Sequence, residues 1–271
     1  MPTRSRLRKM LSEHAEPVRY HLRREEGEPL ALNPWLGQRL QVRFGGTIHC
    51  VLCGRRTNKS FGDGLCYPCF RDAPQASPCI IRPELCEGHL GKGRDPAWEQ
   101  EHHVQPHVVY LAVTSGLKVG VTRDTEIPTR WIDQGAHRAV VLARVPRRQL
   151  AGQIEVALKS HVSDRTQWQT MLKNAQPTDI DLAAERDRLA DLLPSELQQY
   201  RHAEDSVVEL SYPVRAYPPK VKSINLAKTP EFEGTLWGIK GQYLLLRDGR
   251  VFNVRKHSGY DVELDSLEPV S

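Results

Sequence analysis

Residues 107–123 read HVVYLAV-TSG-LKVGVTR, and this stretch decides the fold of the middle of the chain. Two apolar, β-branched segments flank the short linker TSG at 114–116, which predicts two antiparallel strands joined by a tight turn. Tyr110 lies on the first strand, whereas Lys118 and Gly120 lie on the second. We therefore expect a hairpin that carries polar groups at fixed positions of an otherwise apolar strand pair.

The length of the turn determines which side chains share a face of this hairpin. An even-numbered loop would put Tyr110 on the face of Val119 and Val121. A three-residue loop with Gly116 in the left-handed region would instead pair Tyr110 with the face that carries Gly120. Only the second register lets Tyr110 and Gly120 belong to one site, and the linker TSG is compatible with it.

The segments around the hairpin predict an α+β fold class. Residues 139–145 predict a third strand, and residues 147–162 and 179–193 predict amphipathic helices with apolar side chains at helical spacing. Several short strands are predicted after residue 207, where the pair DG at 248–249 is a strong hairpin signal. Short strands at such close spacing are typical of a small barrel or a curled sheet.

Changes in composition divide the chain into five predicted segments. The middle of the chain is the densest globular region, and the region before it holds every cysteine and few aliphatic residues. The segments are a β-rich lead-in at 1–45, a zinc-binding region at 46–104, the hairpin domain at 105–178, a helical connector at 179–206 and a C-terminal β module at 207–271.

Charge and hydropathy limit the classes of function. The net charge of +5 and the isoelectric point of about 8.9 are compatible with a polyanionic partner. No run approaches the ~20 apolar residues of a membrane span, and the basic N-terminus has no apolar core behind it. We therefore expect a cytoplasmic protein without membrane association, in which the six cysteines are thiols or metal ligands rather than disulfides.

Four cysteines form two Cys-x-x-Cys pairs. Cys50 and Cys53 make the first pair, and Cys66 and Cys69 make the second after twelve intervening residues. Each pair can present two thiolates on one tight turn, and two such turns complete a closed tetrahedral Zn²⁺ site. The sequence therefore predicts a structural zinc ribbon, which a redox role explains less well because two paired motifs suit one metal.

The other two cysteines predict a second zinc site. Cys79, Cys86 and His89 supply three ligands, and His103 or His102 supplies the fourth. The poorer candidates are Asp95 and Glu84. We take Cys79, Cys86, His89 and His103 as the ligand set, although a solvated loop with two incidental cysteines is the alternative.

The hairpin region resembles the GIY-YIG nuclease superfamily over about residues 105–175. Residues 108–110, VVY, stand for the first motif of that superfamily, and residues 118–120, KVG, stand for the second. Arg130 and Glu155 stand where the superfamily has a helix arginine and a metal-binding glutamate. The ribbon before the domain and the β stretches after it look like an uncharacterised bacterial branch of the superfamily.

This resemblance implies an α+β fold with a small GIY-YIG-like sheet and helices, and it implies a phosphodiester cleavage site. Tyr110 would position or deprotonate a water molecule, and Arg130 would bind the phosphate through its planar fork. Glu155 would hold Mg²⁺ or Mn²⁺, and Gly120 would let the phosphate approach the strand. Lys118 departs from the superfamily pattern because it replaces a tyrosine whose hydroxyl lies near the nucleophile.

Basic residues outside that site extend the predicted contact with nucleic acid, either DNA or RNA. Lys118, Arg123 and Arg255 are the candidates, and Arg255 lies in a C-terminal region where aromatic and basic residues interleave. Three functions remain open: a metal-dependent endonuclease, a non-catalytic nucleic-acid-binding protein and a zinc-stabilised protein adaptor. Loss of the second tyrosine favours the second function, whereas retention of Tyr110, Arg130 and Glu155 together favours the first.

Overall fold

The structure is a computed structural model, and it describes residues 3–24, 27–204 and 206–267 of the 271-residue chain. Most of its strands are short, and they lie along the whole length of the described chain. They are β1 Thr3–Arg6, β2 Leu11–Glu13, β3 Arg19–Leu22, β4 Leu30–Ala31, β5 Arg39–His49, β6 Arg56–Thr57, β7 His107–Val113, β8 Leu117–Arg123, β9 Arg138–Val145, β10 Val208–Glu209, β11 Lys222–Ser223, β12 Glu231–Lys240, β13 Tyr243–Leu246, β14 Arg250–Asn253 and β15 Tyr260–Leu267.

The α-helices are fewer than the strands and lie in the middle of the chain. They are α1 Tyr67–Asp72, α2 Pro96–His103, α3 Thr129–Asp133, α4 Arg148–Leu158, α5 Trp168–Leu172 and α6 Leu182–Asp191. Within the described residues three sheets accompany these helices, so the predicted α+β class is confirmed at this level. Among the described residues, no helix has both the length and the apolar character that a bilayer crossing requires.

The chain divides into two compact units. Arg71–Leu210 form the continuous unit, and Met1–Phe70 together with Ser211–Ser271 form the split unit. These units group the five predicted segments differently, because the lead-in and the C-terminal strands belong to the same unit. The ends of the outermost predicted segments, residues 1, 2 and 268–271, lie outside the described residues.

An eight-stranded sheet organises the split unit. Its order is β1-β15-β5-β12-β13-β14-β11, and β6 pairs with β5 off this path. The long strand β5 is therefore paired with strands β12 and β15, which lie about two hundred residues later in the chain. The C-terminal strands consequently share one sheet with β1 and β5 and do not form a module on their own.

A four-stranded sheet in the order β10-β9-β7-β8 organises the continuous unit. The predicted hairpin is confirmed, because β7 and β8 pair antiparallel with Tyr110 opposite Gly120 and Val113 opposite Leu117. The loop therefore has three residues, as the site requires. Gly116, however, lies outside the left-handed region in which we expected it.

The hydrophobic core of the continuous unit lies on one face of this sheet. Side chains at alternate positions of β7, together with Val119 of β8, pack against α4 and α6. Leu150, Ile154 and Leu158 are buried in this core, as the predicted apolar stripe requires. Burial of each such leucine or isoleucine contributes about 1.5–3 kcal/mol, so this face fixes α4 against the hairpin.

Two predicted elements differ from the observed ones. The first of the short strands expected after residue 207 is limited to β10, and β10 pairs with β9 of the continuous unit. The helix expected at 147–162 ends at Leu158, after which a turn leads to a backbone hydrogen bond from Val119 N to Ser163 O (2.8 Å). The chain leaves the helix there because residues 160–164 follow the edge of β8, where Lys118 and Ser163 form a parallel bridge.

Candidate functional site

Tyr110 and Gly120 fit against each other on the second face of the hairpin sheet. Tyr110 is fully buried, and a Cβ atom at Gly120 would lie 2.5 Å from its hydroxyl oxygen and 2.6 Å from its Cζ. Carbon atoms do not approach this closely without displacement, so only glycine fits under the phenol ring. Trp131 packs edge-on against the same ring with a centroid distance of 6.0 Å.

Gln134 links Tyr110 to Arg130. In the amide orientation that satisfies both neighbours, its oxygen accepts from Nε and Nη2 of Arg130 at 3.0 and 3.1 Å. Its nitrogen then lies 2.9 Å from the Tyr110 hydroxyl oxygen and donates to it. The guanidinium of Arg130 is thereby oriented by a glutamine one turn later in the chain, and the glutamine is held by a buried phenol.

Lys118 and Glu155 interact electrostatically with this group. Lys118 is 5% exposed, and burial lowers its pKa to about 8, an effect that Arg130 strengthens and Glu155 opposes. Glu155 is 9% exposed, and burial raises its pKa against the attraction of Lys159 and Lys118. Burial likewise raises the pKa of Tyr110, and Arg130 and Gln134 oppose that shift. Four of the predicted site residues therefore influence one another.

Two predicted contact residues have partners elsewhere. Arg123 donates from Nη2 to Glu126 at 2.7 Å, within its own turn. Arg255 belongs to the split unit and holds Asp63 with both arms of its guanidinium, at 2.6 and 3.0 Å. Each of these arginines therefore has an acidic partner of its own.

The first cysteine group, which we call the ribbon centre, lies in the split unit. The Sγ atoms of Cys50, Cys53, Cys66 and Cys69 all lie within 4.8 Å of one another. The Cys53 and Cys66 sulfurs are 3.7 Å apart, close to the ~3.8 Å that tetrahedral Zn–S bonds of 2.3 Å imply. This group can therefore hold a metal ion such as zinc.

Local backbone geometry forms the two turns of the ribbon centre. Strand β5 ends directly before Cys50, and Gly54 donates its N–H to the Cys50 carbonyl at 2.9 Å with a φ of 72°. Although burial favours the neutral thiol, hydrogen bonds from backbone groups lower the pKa of Cys50 to about 6. Burial and the neighbouring thiols raise the pKa of Cys69 to about 12. A divalent cation would remove this competition by binding all four thiolates.

The second group lies in the continuous unit, and we call it the buried centre. Its members are Cys79, Cys86, Glu99 and His103, all buried, with ligand atoms within 4.8 Å of one another. His103 Nδ1 is 3.5 Å from Cys86 Sγ and 3.9 Å from Cys79 Sγ. Tetrahedral zinc would hold sulfur and nitrogen about 3.5 Å apart, so the donor set suits this ion.

Glu99 takes the place in this group that we predicted for His89. Glu99 and His103 stand one turn apart on α2, and Glu99 Oε2 lies against His103 Nδ1. This oxygen is buried and makes no hydrogen bond among the described atoms, whereas Oε1 accepts from Ser77 at 3.4 Å. A carboxylate that is 2% exposed needs a positive partner, and a metal ion would supply it. His89 lies outside the group.

The weaker ligand candidates have structural roles. Asp95 caps the N-terminus of α2 by accepting from Trp98 N at 3.1 Å, and Glu84 pairs with Arg82 at 3.0 Å. His102 stacks on Trp98 with a ring separation of 4.1 Å. These contacts explain why three polar side chains near the buried centre are not among its members.

Sequence reasoning missed Glu99 and Gln134, and both had the same signal. Glu99 precedes His103 by four residues, and Gln134 follows Arg130 by four residues. This spacing places two side chains on one side of a helical turn. A search for polar residues one turn away from each candidate would have found both.

The fold and these groups define an α+β protein with a hairpin-centred polar site and two cysteine-containing groups that can hold metal. The model of the family described as protein of unknown function (DUF2797) matches residues 37–262, which is more than four fifths of the chain. The chain therefore belongs to this family. No curated protein and no solved structure matches the chain.

Proposed function

We propose that this protein is a zinc-stabilised, nucleic-acid-binding protein whose continuous unit cleaves phosphodiester bonds with the help of a divalent metal ion. The observation that carries the proposal is the pairing of Tyr110 with Gly120, together with the connection from Tyr110 through Gln134 to Arg130. This arrangement supports the resemblance to the GIY-YIG superfamily, because the motif residues fall into one register and one network.

Arg130 and Glu155 are the residues that we assign to the chemistry. A guanidinium that is oriented on one side by Gln134 can offer further N–H groups to a phosphate and to the charge that develops on it. A carboxylate such as Glu155 can hold one Mg²⁺ or Mn²⁺ ion, which supplies Lewis-acid chemistry when bound. The half-buried Arg130 and the buried Glu155 thus have separate tasks, phosphate binding and metal binding.

Tyr110 is better suited to positioning than to direct attack. Its side chain is fully buried, and burial raises its pKa, so the phenol stays protonated near neutral pH. A protonated phenol that bonds to Gln134 fixes the orientation of Arg130. We therefore assign to Tyr110 the role of holding Arg130 in place through Gln134.

A second candidate is a nucleic-acid-binding protein without nuclease activity. The observation in its favour is Lys118, a buried lysine where the superfamily has a tyrosine hydroxyl. The amine adds positive charge beside Arg130 and offers no hydroxyl for water activation. Both candidate functions include binding to the phosphate backbone, and they differ only in whether the phosphodiester bond is cleaved.

The first prediction tests the proposed activity. The zinc-loaded protein is incubated with single- and double-stranded DNA and RNA, with and without Mg²⁺ or Mn²⁺, and both binding and cleavage are measured. We expect metal-dependent cleavage that falls by about 100-fold or more in Glu155→Gln and in Arg130→Ala, since each removes charge stabilisation of the transition state. Glu185→Gln and Arg188→Ala change an exposed ion pair on α6 and serve as matched controls.

Each other outcome has a definite meaning. Cleavage that persists in Glu155→Gln and Arg130→Ala would reject the site. Binding without cleavage by the unaltered protein would select the second candidate. Binding to none of the four nucleic acids would reject both candidates and leave the protein adaptor.

A further inference from the structure

We infer that the metal ion of the buried centre positions helix α4, so that this centre controls the placement of Glu155. The buried centre and α4 both belong to the continuous unit. The inference rests on the proposed function only in the role given to Glu155, and its contacts and its test stand on their own.

The first contact is at Gly152, which lies one turn before Glu155. A short 3₁₀ helix at Pro83–Leu85, between Cys79 and Cys86, packs its backbone against this glycine. A Cβ atom at Gly152 would overlap the backbone N of Glu84 and the carbonyl carbon of Pro83. Only a helix position without a side chain allows this approach, so the metal-binding loop is seated directly on α4.

The second contact is made by Arg148 in the first turn of α4. Its Nε donates to the carbonyl oxygen of Cys79 at 3.0 Å, and its Nη2 donates to that of Ile80 at 2.9 Å. No side chain caps the N-terminus of this helix at Arg147. The backbone of a metal ligand and of the residue after it therefore holds the beginning of α4, where a cap is missing.

The metal-binding loop needs the ion to keep this shape. Residues 71–95 contain several short 3₁₀ turns and no strand, and Ile81, Leu85 and Leu90 in or near them are exposed. Such a segment gains little from apolar burial, so coordination is its main source of order. When the ion leaves, the loop loses its fixed backbone, and α4 loses both contacts.

The reverse coupling follows from thermodynamic linkage. If metal binding stabilises the seated loop, a change on α4 that unseats the loop must weaken metal binding by the same factor. Gly152→Ala is such a change, and it touches no ligand. Alanine has a higher helix propensity than glycine, so a loss of metal affinity in this variant cannot come from a weakened helix.

The second prediction uses the full-length, zinc-loaded protein. Zinc release to a competing chelator is followed for the unaltered protein, Gly152→Ala and the matched control Gly116→Ala, whose new methyl group would meet open space. We expect one of two zinc ions to bind about 10- to 100-fold more weakly in Gly152→Ala, the range usual for changes beside a metal site. Gly116→Ala should release zinc like the unaltered protein. Equal release from all three proteins would overturn the inference.

A second variant and a second measurement keep the test independent of any fold defect at Gly152. Glu99→Gln keeps the shape of a ligand and should lose one zinc ion, whereas His89→Gln should keep both. Hydrogen exchange of the amides of residues 148–158 should then accelerate in Glu99→Gln and not in Cys66→Ser, which alters the ribbon centre. Unchanged exchange in Glu99→Gln would reject the positioning role. Neither readout involves nucleic acid, so failure of the nuclease proposal would leave this result unaffected.

Discussion

At the scale of single residues, the contact between Tyr110 and Gly120 defines the site. The phenol occupies the volume that a side chain at position 120 would fill, and its hydroxyl reaches Gln134. The register that permits this contact was predictable from the length of the loop. With a three-residue loop, and with side chains that alternate between the two faces of a strand, Tyr110 pairs with Gly120. The identity of the partner Gln134 was not predictable from the strands, because it belongs to a separate helical turn.

The third prediction concerns this contact. Gly120→Ala should destabilise the protein by about 1–3 kcal/mol in denaturant unfolding, because the new methyl group forces a buried ring to move. The same substitution in a Tyr110→Ala background should have an effect close to zero, since the ring is absent. A double-mutant cycle measures the difference. Equal costs in both backgrounds would show that the ring and the glycine do not interact.

The metal ligands were predicted in part from the spacing of residues in the sequence. Two Cys-x-x-Cys pairs predict one compact group, and the four sulfurs do lie together. For the second ligand set we predicted His89 and did not consider Glu99, because histidine is the commoner metal ligand. In the structure Glu99 is the ligand candidate, because Gly88 and Gly93 leave room beside it that larger residues would fill. This close packing depends on the tertiary structure and cannot be read from the local sequence.

At the scale of elements, the strongest patterns predicted the correct helices and strands. Strands β7, β8 and β9 and helices α4 and α6 were all predicted, because their apolar periodicity matches one buried face. The prediction made strand β10 too long, since the pairing of β10 with β9 stops after two residues. Partners of a short strand depend on the sheet edge that is free, and local sequence does not encode that edge.

Strand β12 ends on a lysine that is fully buried. Lys240 is 0% exposed, and its Nζ lies 5.4 and 5.0 Å from the ring centres of Tyr212 and Tyr217. Burial lowers the pKa of this amine from 10.5 to about 7, whereas the two rings attract its charged form. A buried amine of this kind makes the stability of the split unit depend on pH.

The fourth prediction gives the sign of that dependence. Between pH 7 and pH 10.5 the unfolded chain holds a proton on Lys240 that the folded chain has released, so stability rises with pH across this window. We expect Lys240 to contribute a rise of up to about 5 kcal/mol, measured by urea unfolding at several pH values. Lys240→Met should remove this rise, and the exposed Lys228→Met should retain it. Parallel curves for Lys240→Met and the unaltered protein would contradict the assignment.

At the scale of the whole molecule, the chain forms two units with different connectivity. The continuous unit takes all its strands from one segment, whereas the split unit joins strands from both ends of the chain. Sequence patterns located strands β7, β8 and β9, and they indicated β-rich segments at both ends of the chain. They did not show that β5 and β12 are neighbours, because the pairing of distant strands depends on the order of strands in the completed sheet.

The fifth prediction follows from this connectivity. A fragment of residues 71–210 with zinc should give a dispersed amide NMR spectrum, because its sheet and its buried centre are complete. A fragment of residues 1–70 should remain unfolded beyond its zinc turns, because β5 lacks both of its long neighbours. A folded 1–70 fragment, or an unfolded 71–210 fragment, would show that the two units do not reflect independent folding.

Because β5 pairs with β12 and β15, it is synthesised long before its partner strands. At about 5–20 residues per second, roughly 10 to 40 s pass between the emergence of β5 and that of β12. During that interval most of both edges of an eleven-residue strand remains available to other chains, since β6 pairs only with its last two residues. Arg39 and Arg43 alternate along it and later pair with Glu233 and Glu231. Charged side chains on an open strand disfavour its pairing with other chains, so these two arginines protect β5 until its partner β12 has been made.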